Sequence, residues 1–189
     1  MHTGPWTWLR QVHGARVVVV DEPGGAAGAE ADAAVSATTD AVLAVHSADC
    51  AVVGLWSPQG VIGAAHAGWR GLRAGVLPRT VEAMAALGAT DVRAVLGPSI
   101  EAACYEFGPA DLAALVDALG PRVAATTGDG APALDLVAGV RAALAAAGVN
   151  DVDASWWCCT ACSPRHYSPR ARGDAGRTAL LIALEGTAG

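Results

Sequence analysis

Apolar and polar positions along the chain fall into short segments of two kinds. Arg16–Val20, Val42–Val45, Ala51–Leu55, Val61–Ala65, Val92–Leu96 and Thr178–Leu184 are brief apolar runs, several of them β-branched, and each predicts a strand. Ser57-Pro58-Gln59-Gly60 separates two of these runs and predicts a turn. From Trp69 to Leu87 the period changes: Leu72, Val76, Met84 and Leu87 recur at roughly helical spacing, with Gly88 as the stop signal. Pro78 lies inside that stretch and is expected to kink the helix or restart it, since its ring blocks one backbone bond. Two further helices are predicted, Pro109–Leu119 ended by Gly120 and about Leu136–Ala147 ended by Gly148, with Asp135 placed to cap the latter. Asp21–Ala31, rich in Pro, Gly and Ala, is expected to be a mobile loop. Strands and helices interleave without a clean βαβ repeat, so the expected class is mixed α/β, or α+β.

Composition narrows the function. The 189 residues, 53% of them hydrophobic, suffice for one domain with a sizeable core, or two small ones. No apolar run is long enough to span a bilayer and no basic-then-apolar leader opens the chain, which predicts a cytoplasmic protein with no membrane partner. A net charge of −6 without a basic block argues against nucleic acid as the partner. All twelve basic residues are arginines. A Walker-type phosphate loop, a Schiff-base enzyme and a Ser-Lys hydrolase each need an ammonium and are excluded. Any anion must be held by Arg, backbone N–H groups or a metal.

Residue chemistry concentrates between Ala41 and Gly71. Cys50 follows Ser47-Ala48-Asp49, and His66 opens Ala67-Gly68-Trp69-Arg70-Gly71, each beside the end of an apolar run. His13, just before the first β-branched run, is the other candidate. Two imidazoles and a thiolate are an ordinary zinc set that leaves a fourth position for water or substrate. Their spacing has no local signature, and a capping histidine, a core histidine and a buried thiol fit it equally. Arg70 follows the "HAGW" turn, where it could reach an anion beside His66 or simply face solvent. Gly97–Ile100, "GPSI", offers backbone donors and Ser99. Five cysteines are an odd count that suits reduced thiols. Cys159-Thr160-Ala161-Cys162, with Cys158 beside it, could be half of a zinc site or a redox pair, but no second C-x-x-C completes it and packing is the simpler reading. Arg165, Arg170, Arg172 and Arg177 form the densest arginine cluster, as compatible with ion pairs as with a ligand. His2, His46 and His166 read as incidental.

"WLRQVHGARV", "ADAAVSATTDAVLAVHSADC", "GAAHAGWRGLRAGVL", "LGPSIEAACYEFG" and "CTACSPRHYSPRARGDAGR" together resemble, over essentially the whole chain, the YfiH-type family, whose members are named laccase-domain proteins, polyphenol oxidases or purine nucleoside phosphorylases. The resemblance implies a single-domain mixed-sheet α/β sandwich in which His13, Cys50 and His66 bind zinc, with Arg70 joining them in catalysis. It implies substrate contacts from Gln11, Ser99, Cys104, Tyr105, Arg170 and Arg172. The implied substrates are small molecules: purine nucleosides, namely adenosine, inosine and methylthioadenosine, with phosphate, plus deamination of adenosine. Alternatives attached to the family are copper-dependent phenol oxidation and peptidoglycan precursor editing; hydrolysis with Cys50 as nucleophile is a further possibility. Two departures stand out. The family has a few dozen residues before "QVHG" that this chain lacks, and its tail "S-x-R-R-D-G" is here Ser168-Pro169-Arg170-Ala171-Arg172-Gly173, so the roles of the second Arg and the Asp pass to Arg172 and Asp174.

Overall fold

A computed structural model describes residues 4–185. His2 and the outermost ends of the expected domain, 1–3 and 186–189, lie outside the described residues. In chain order the strands are β1 (Trp6–Trp8), β2 (Val17–Val19), β3 (Ala33–Ser36), β4 (Val42–Ser47), β5 (Ala51–Ser57) and β6 (Val61–Ala67). Helices α1 (Trp69–Arg73) and α2 (Val76–Ala86) lead to β7 (Arg93–Leu96) and α3 (Pro109–Leu119). Then come β8 (Ala124–Thr126), β9 (Pro132–Leu134), α4 (Leu136–Ala146), β10 (Val152–Asp153), α5 (Pro169–Arg172) and β11 (Thr178–Ala183).

A six-stranded sheet in the order β10-β7-β5-β6-β3-β2 forms the middle layer of the fold. Its strands are apolar on both faces because both are covered. In β5, Ala51, Val53 and Leu55 face the helices, where they pack with Leu77, Met84, Leu136 and Leu144. Val52 faces the other way, onto a second core with Leu43, Val45, Ile62 and Leu180. Successive side chains on a strand alternate sides, so an unbroken apolar run feeds two cores at once. The second core is closed by a three-stranded sheet in the order β1-β4-β11. The result is a mixed α/β sandwich, as expected.

Pro78 restarts the helix. Ala74 ends α1, Gly75 takes a left-handed φ of 82°, and α2 begins at Val76 with Pro78 in its first turn, where a missing N–H is harmless. The Asp135 carboxylate accepts from the Ala138 N–H at 2.8 Å and caps α4 as predicted. The segment 21–31 departs from expectation. It is stitched to β1: Gly28 N–H donates to the Trp8 carbonyl at 2.7 Å, Arg10 N–H to Ala29 at 2.9 Å, and the Thr7 hydroxyl to Gly25 at 2.7 Å. A Cβ on Gly28, whose φ is +79°, would stand 3.3 Å from the Trp8 ring, so the small residues there serve close packing. Strands β1, β3 and β8 to β10 and the short helix α5 were not predicted. Each has four or fewer residues, and pairing and burial rather than propensity define them.

Candidate metal centre and its cleft

The β5–β6 hairpin joins two of the three candidate ligands. Its register pairs Ala51 with Ala67 and Val52 with His66, so Cys50, one residue before β5, stands across from Gly68. His66 and Cys50 therefore meet at the open end of the hairpin, opposite the Ser57–Gly60 turn. β3 pairs with β6 with Ala33 against Ala65, which sets Asp32, one residue before β3, beside His66. Asp32 completes the construction. It is fully buried, and its Oδ1 lies 2.9 Å from His66 Nδ1 and accepts from the His13 N–H at 2.9 Å. Its Oδ2 accepts from Gly14 N–H at 2.7 Å and Val12 N–H at 3.2 Å. These bonds hold His13 at a left-handed φ of 60°, an unusual conformation for a side-chain-bearing residue.

The outcome is a compact trio. The candidate ligand atoms of His13, Cys50 and His66 lie within 4.8 Å of one another, with Cys50 Sγ 3.9 Å from His13 Nε2. The imidazoles meet edge to face at 4.9 Å between centroids. A Cβ on Gly68 would come 2.9 Å from Cys50 Sγ and 3.2 Å from His13 Cδ2, so glycine there keeps the space between the ligands clear. Burial alone would lower the His66 pKa, but hydrogen bonds to Asp32 and Cys50 outweigh it and raise it to about 9. Burial would raise the Cys50 thiol, yet hydrogen bonds to His13 and His66 bring it down to about 7. Burial opposes the Asp32 charge too, and the His66 ring with the Gly14 and Val12 N–H groups holds it below the usual carboxylate range. Two imidazoles and a readily ionised thiol, one imidazole oriented through its other nitrogen by a buried carboxylate, fit a zinc ion with its supporting hydrogen bonds.

The trio lines a cleft of about 360 Å³ with Gln11, His46, Ser47, Ala48, Pro169 and Arg177. A larger hollow, about 440 Å³ between the C-terminal end of α3 and the side of α4, is lined by Leu119, Arg122, Arg141 and small residues and contains no candidate nucleophile or metal ligand. Gln11 lines the cleft, and its amide is paired both ways with His46, donating to the carbonyl at 2.7 Å and accepting from the N–H at 2.9 Å. Tyr105 is buried, with the Arg170 guanidinium 4.9 Å from its ring centroid. Burial and the nearby Cys50 push the Tyr105 hydroxyl up to about 12. Arg70 is exposed on α1 with its guanidinium over the Trp69 ring at 4.3 Å, at a separate hollow lined by Trp69, Arg73 and Ala74. Ser99 is fully buried and accepts from the Trp157 indole N–H at 2.8 Å. Arg172 is taken up by its own loop, donating to the carbonyls of Ala161, Thr160 and His166 and to Asp174. Cys104 faces Cys159 and Cys162.

Three residues of the cleft region escaped the sequence reading. Asp32 carried a signal, since an acid inside Ala31–Ser36, an otherwise small and apolar stretch, needs buried partners. Asp49, at a φ of 81°, accepts from the Thr160 hydroxyl at 2.7 Å and the Arg170 N–H at 3.0 Å, tying the C-terminal loop to the cleft. His46, taken from the sequence as incidental, lines the cleft, with its pKa lowered by burial and by His66 and Arg177.

A family model described as multi-copper polyphenol oxidoreductase laccase matches residues 1–185. The chain belongs to this laccase-like family. Its relatives include the purine nucleoside phosphorylase of Streptomyces coelicolor, 46% identical over 182 residues that cover 94% of this chain and 74% of the relative. A Mycobacterium tuberculosis protein of the same name is 39% identical over 181 residues, covering 94% and 72%. Among solved structures, Neisseria meningitidis NMB0706 superposes with a TM-score of 0.84 at 34% identity, covering 96% of this chain and 76% of that one. YlmD from Geobacillus stearothermophilus also scores 0.84, at 29% identity and coverage of 96% and 74%. The relatives and the family mark this laccase-like chain as an enzyme with small-molecule substrates. Among the described residues no helix is long and apolar enough to cross a membrane.

Proposed function

We propose that this chain is a zinc-dependent purine nucleoside phosphorylase of the cytoplasm, acting on adenosine, inosine and methylthioadenosine, with adenosine deamination as a second activity. The observation that carries this reading is the His13–Cys50–His66 trio at the wall of a ligand-sized cleft. Three protein ligands are the usual number in a catalytic zinc site, and the ion when bound supplies a Lewis acid that polarises an oxygen nucleophile.

The chain's own residues do the rest. Asp32 fixes the tautomer of His66 by accepting its Nδ1 proton, which turns Nε2 toward the site. In phosphorolysis a phosphate oxygen bonds to the ribose anomeric carbon as the bond to the purine nitrogen breaks, and the purine leaves with a proton. With no lysine in the chain, the phosphate charge falls to arginine, Arg177 at the cleft wall and Arg170 beside Tyr105, while Arg70 stands at the separate hollow beside Trp69. A guanidinium matched to charge that develops in the transition state typically contributes a few kcal/mol, roughly 2.7–4 for one donor. His46 offers the purine edge both a donor and an acceptor if neutral, as its lowered pKa favours.

Metal analysis followed by incubation with adenosine, with and without phosphate, tests the assignment. Ribose-1-phosphate and adenine formed only with phosphate are expected, and Cys50→Ala should lose both zinc and turnover. Phosphorolysis by metal-free protein would refute the role of the trio. The description of the matching family favours one competing reading, a copper phenol oxidase. The trio supplies only two imidazoles, few for copper oxidation chemistry. Phenol oxidation by copper-loaded protein, absent from the zinc form, would reverse the preference.

A further inference from the structure

A second sulfur-rich cluster lies away from the cleft trio. Cys104, Cys159 and Cys162 bring their sulfurs within 4.8 Å of one another, with Cys104 Sγ 3.2 Å from Cys162 Sγ and 4.0 Å from Cys159 Sγ. Two zinc-bound thiolates at about 2.3 Å from a tetrahedral ion stand about 3.8 Å apart, so these separations need only small rotamer changes to accept one.

The backbone holds both limbs of the cluster in place. Ser99 and Cys159 form an isolated bridge, with Ser99 N–H donating to Cys158 at 3.3 Å and Thr160 N–H to Ser99 at 3.1 Å. That bridge sets the C-x-x-C turn beside the 3-10 turn at Ala102–Cys104. A Cys104–Cys162 disulfide would use two of the three sulfurs and leave Cys159 aside. Cys158, the neighbour in sequence, lies outside the trio.

We infer that Cys104, Cys159 and Cys162 form a second metal site that takes a thiophilic divalent cation, Zn²⁺ by its donor set, as a structural staple. The three thiols lose their protons to solvent on binding, and the exposed side of Cys162 leaves the fourth position open to solvent, one protein ligand fewer than a closed structural zinc site has. The staple joins the turn that leads into Tyr105 to the loop that carries Thr160 and Arg170 onto Asp49. It thereby fixes one side of the catalytic cleft from outside it.

The test is differential alkylation of the full-length reduced chain, read residue by residue by mass spectrometry, with and without Zn²⁺, alongside Zn²⁺ titration. In Cys50→Ala, which removes the cleft site, about one equivalent should still bind and should protect Cys104, Cys159 and Cys162 while Cys158 reacts as before. Adding Cys162→Ser should abolish that uptake. The same protection pattern in the wild-type chain checks the result without a substitution. Wild type that binds one equivalent, kept in Cys50→Ala, would sink the cleft reading and leave this one standing. No uptake by folded Cys50→Ala, protection that extends equally to Cys158, or no protection of the trio in wild type would overturn it.

Discussion

Asp32→Asn is the most informative single substitution. The carboxylate of Asp32 accepts four hydrogen bonds: Oδ1 from His13 N–H and, on the His66 side, Nδ1, and Oδ2 from Val12 and Gly14. An asparagine keeps one oxygen and presents an NH₂ in place of the other, so either the Val12 and Gly14 N–H groups face a donor, or the His13 N–H does while the His66 ring turns acceptor. Each buried donor left unsatisfied costs about 1–3 kcal/mol, which predicts a loss of about 1–6 kcal/mol. Domains of this kind have about 5–15 kcal/mol in total, so the variant should remain measurable but be severely weakened. The effect on the metal follows from geometry. An NH₂ turned to His66 makes Nδ1 an acceptor and moves the ring proton to Nε2, the atom required for the ion; an NH₂ turned to Gly14 loosens the His13 loop instead. Loss of such a supporting group typically reduces metal affinity by about 10–100-fold. Urea unfolding of the metal-free chain and competitive Zn²⁺ titration read the two effects separately. Unfolding within about 0.5 kcal/mol of wild type together with unchanged Zn²⁺ affinity would refute the account of Asp32.

Stability of the metal-free protein should depend on pH with opposing contributions. The His66 pKa is raised to about 9 by Asp32 and Cys50 against the effect of burial, so its stabilisation is complete below about pH 6.5 and is lost as pH rises through 9. The Cys50 thiol is lowered to about 7 by His13 and His66 against burial, so its stabilisation is complete above 9 and is lost as pH falls through 7. Unfolding free energy should therefore change little between pH 7 and 9 in wild type, whereas in Cys50→Ala, where Asp32 alone raises His66, it should decline as pH rises above about 6.5 and level off below 9; a steep wild-type slope would contradict the pairing. Gly68→Ala places a Cβ 2.9 Å from Cys50 Sγ on a backbone already at φ −69°, so only the ligands must move. Overpacking of about 1–3 kcal/mol should accompany a clear loss of Zn²⁺ affinity, which titration would show. Asp135→Ala removes the cap on α4 and should cost about 1 kcal/mol, or a fall of about 2–4 °C in Tm, with no change in metal binding.

His13, Cys50 and His66 were candidates in the sequence because they have metal-binding chemistry next to strand ends, but it was the family resemblance, not their spacing, that grouped them. Cys50 and His66 flank a hairpin whose turn, Ser57–Gly60, is itself a local signal, and their meeting is a matter of counting register. Arg172 and Ser99 show the limit. Nothing local distinguishes an arginine that binds a ligand from one whose donors are absorbed by loop carbonyls, or an accessible serine from one sealed against Trp157. The second thiol cluster was hidden for the same reason: C-x-x-C is local, but Cys104 is 55 residues away from Cys159 and reaches it only through the bridge at Ser99.

By itself the sequence determined the strands and helices long enough to carry a period, the mixed α/β class, the absence of any lysine, and the residues able to hold a metal. Tertiary structure alone decided that one acid, Asp32, serves both the backbone of the His13 loop and the ring of His66, and that His46 and Arg177 share the cleft. Local propensity and composition act over a few neighbouring residues. Convergence depends instead on strand order and register across two stacked sheets, which bring together groups that no pattern along the chain connects.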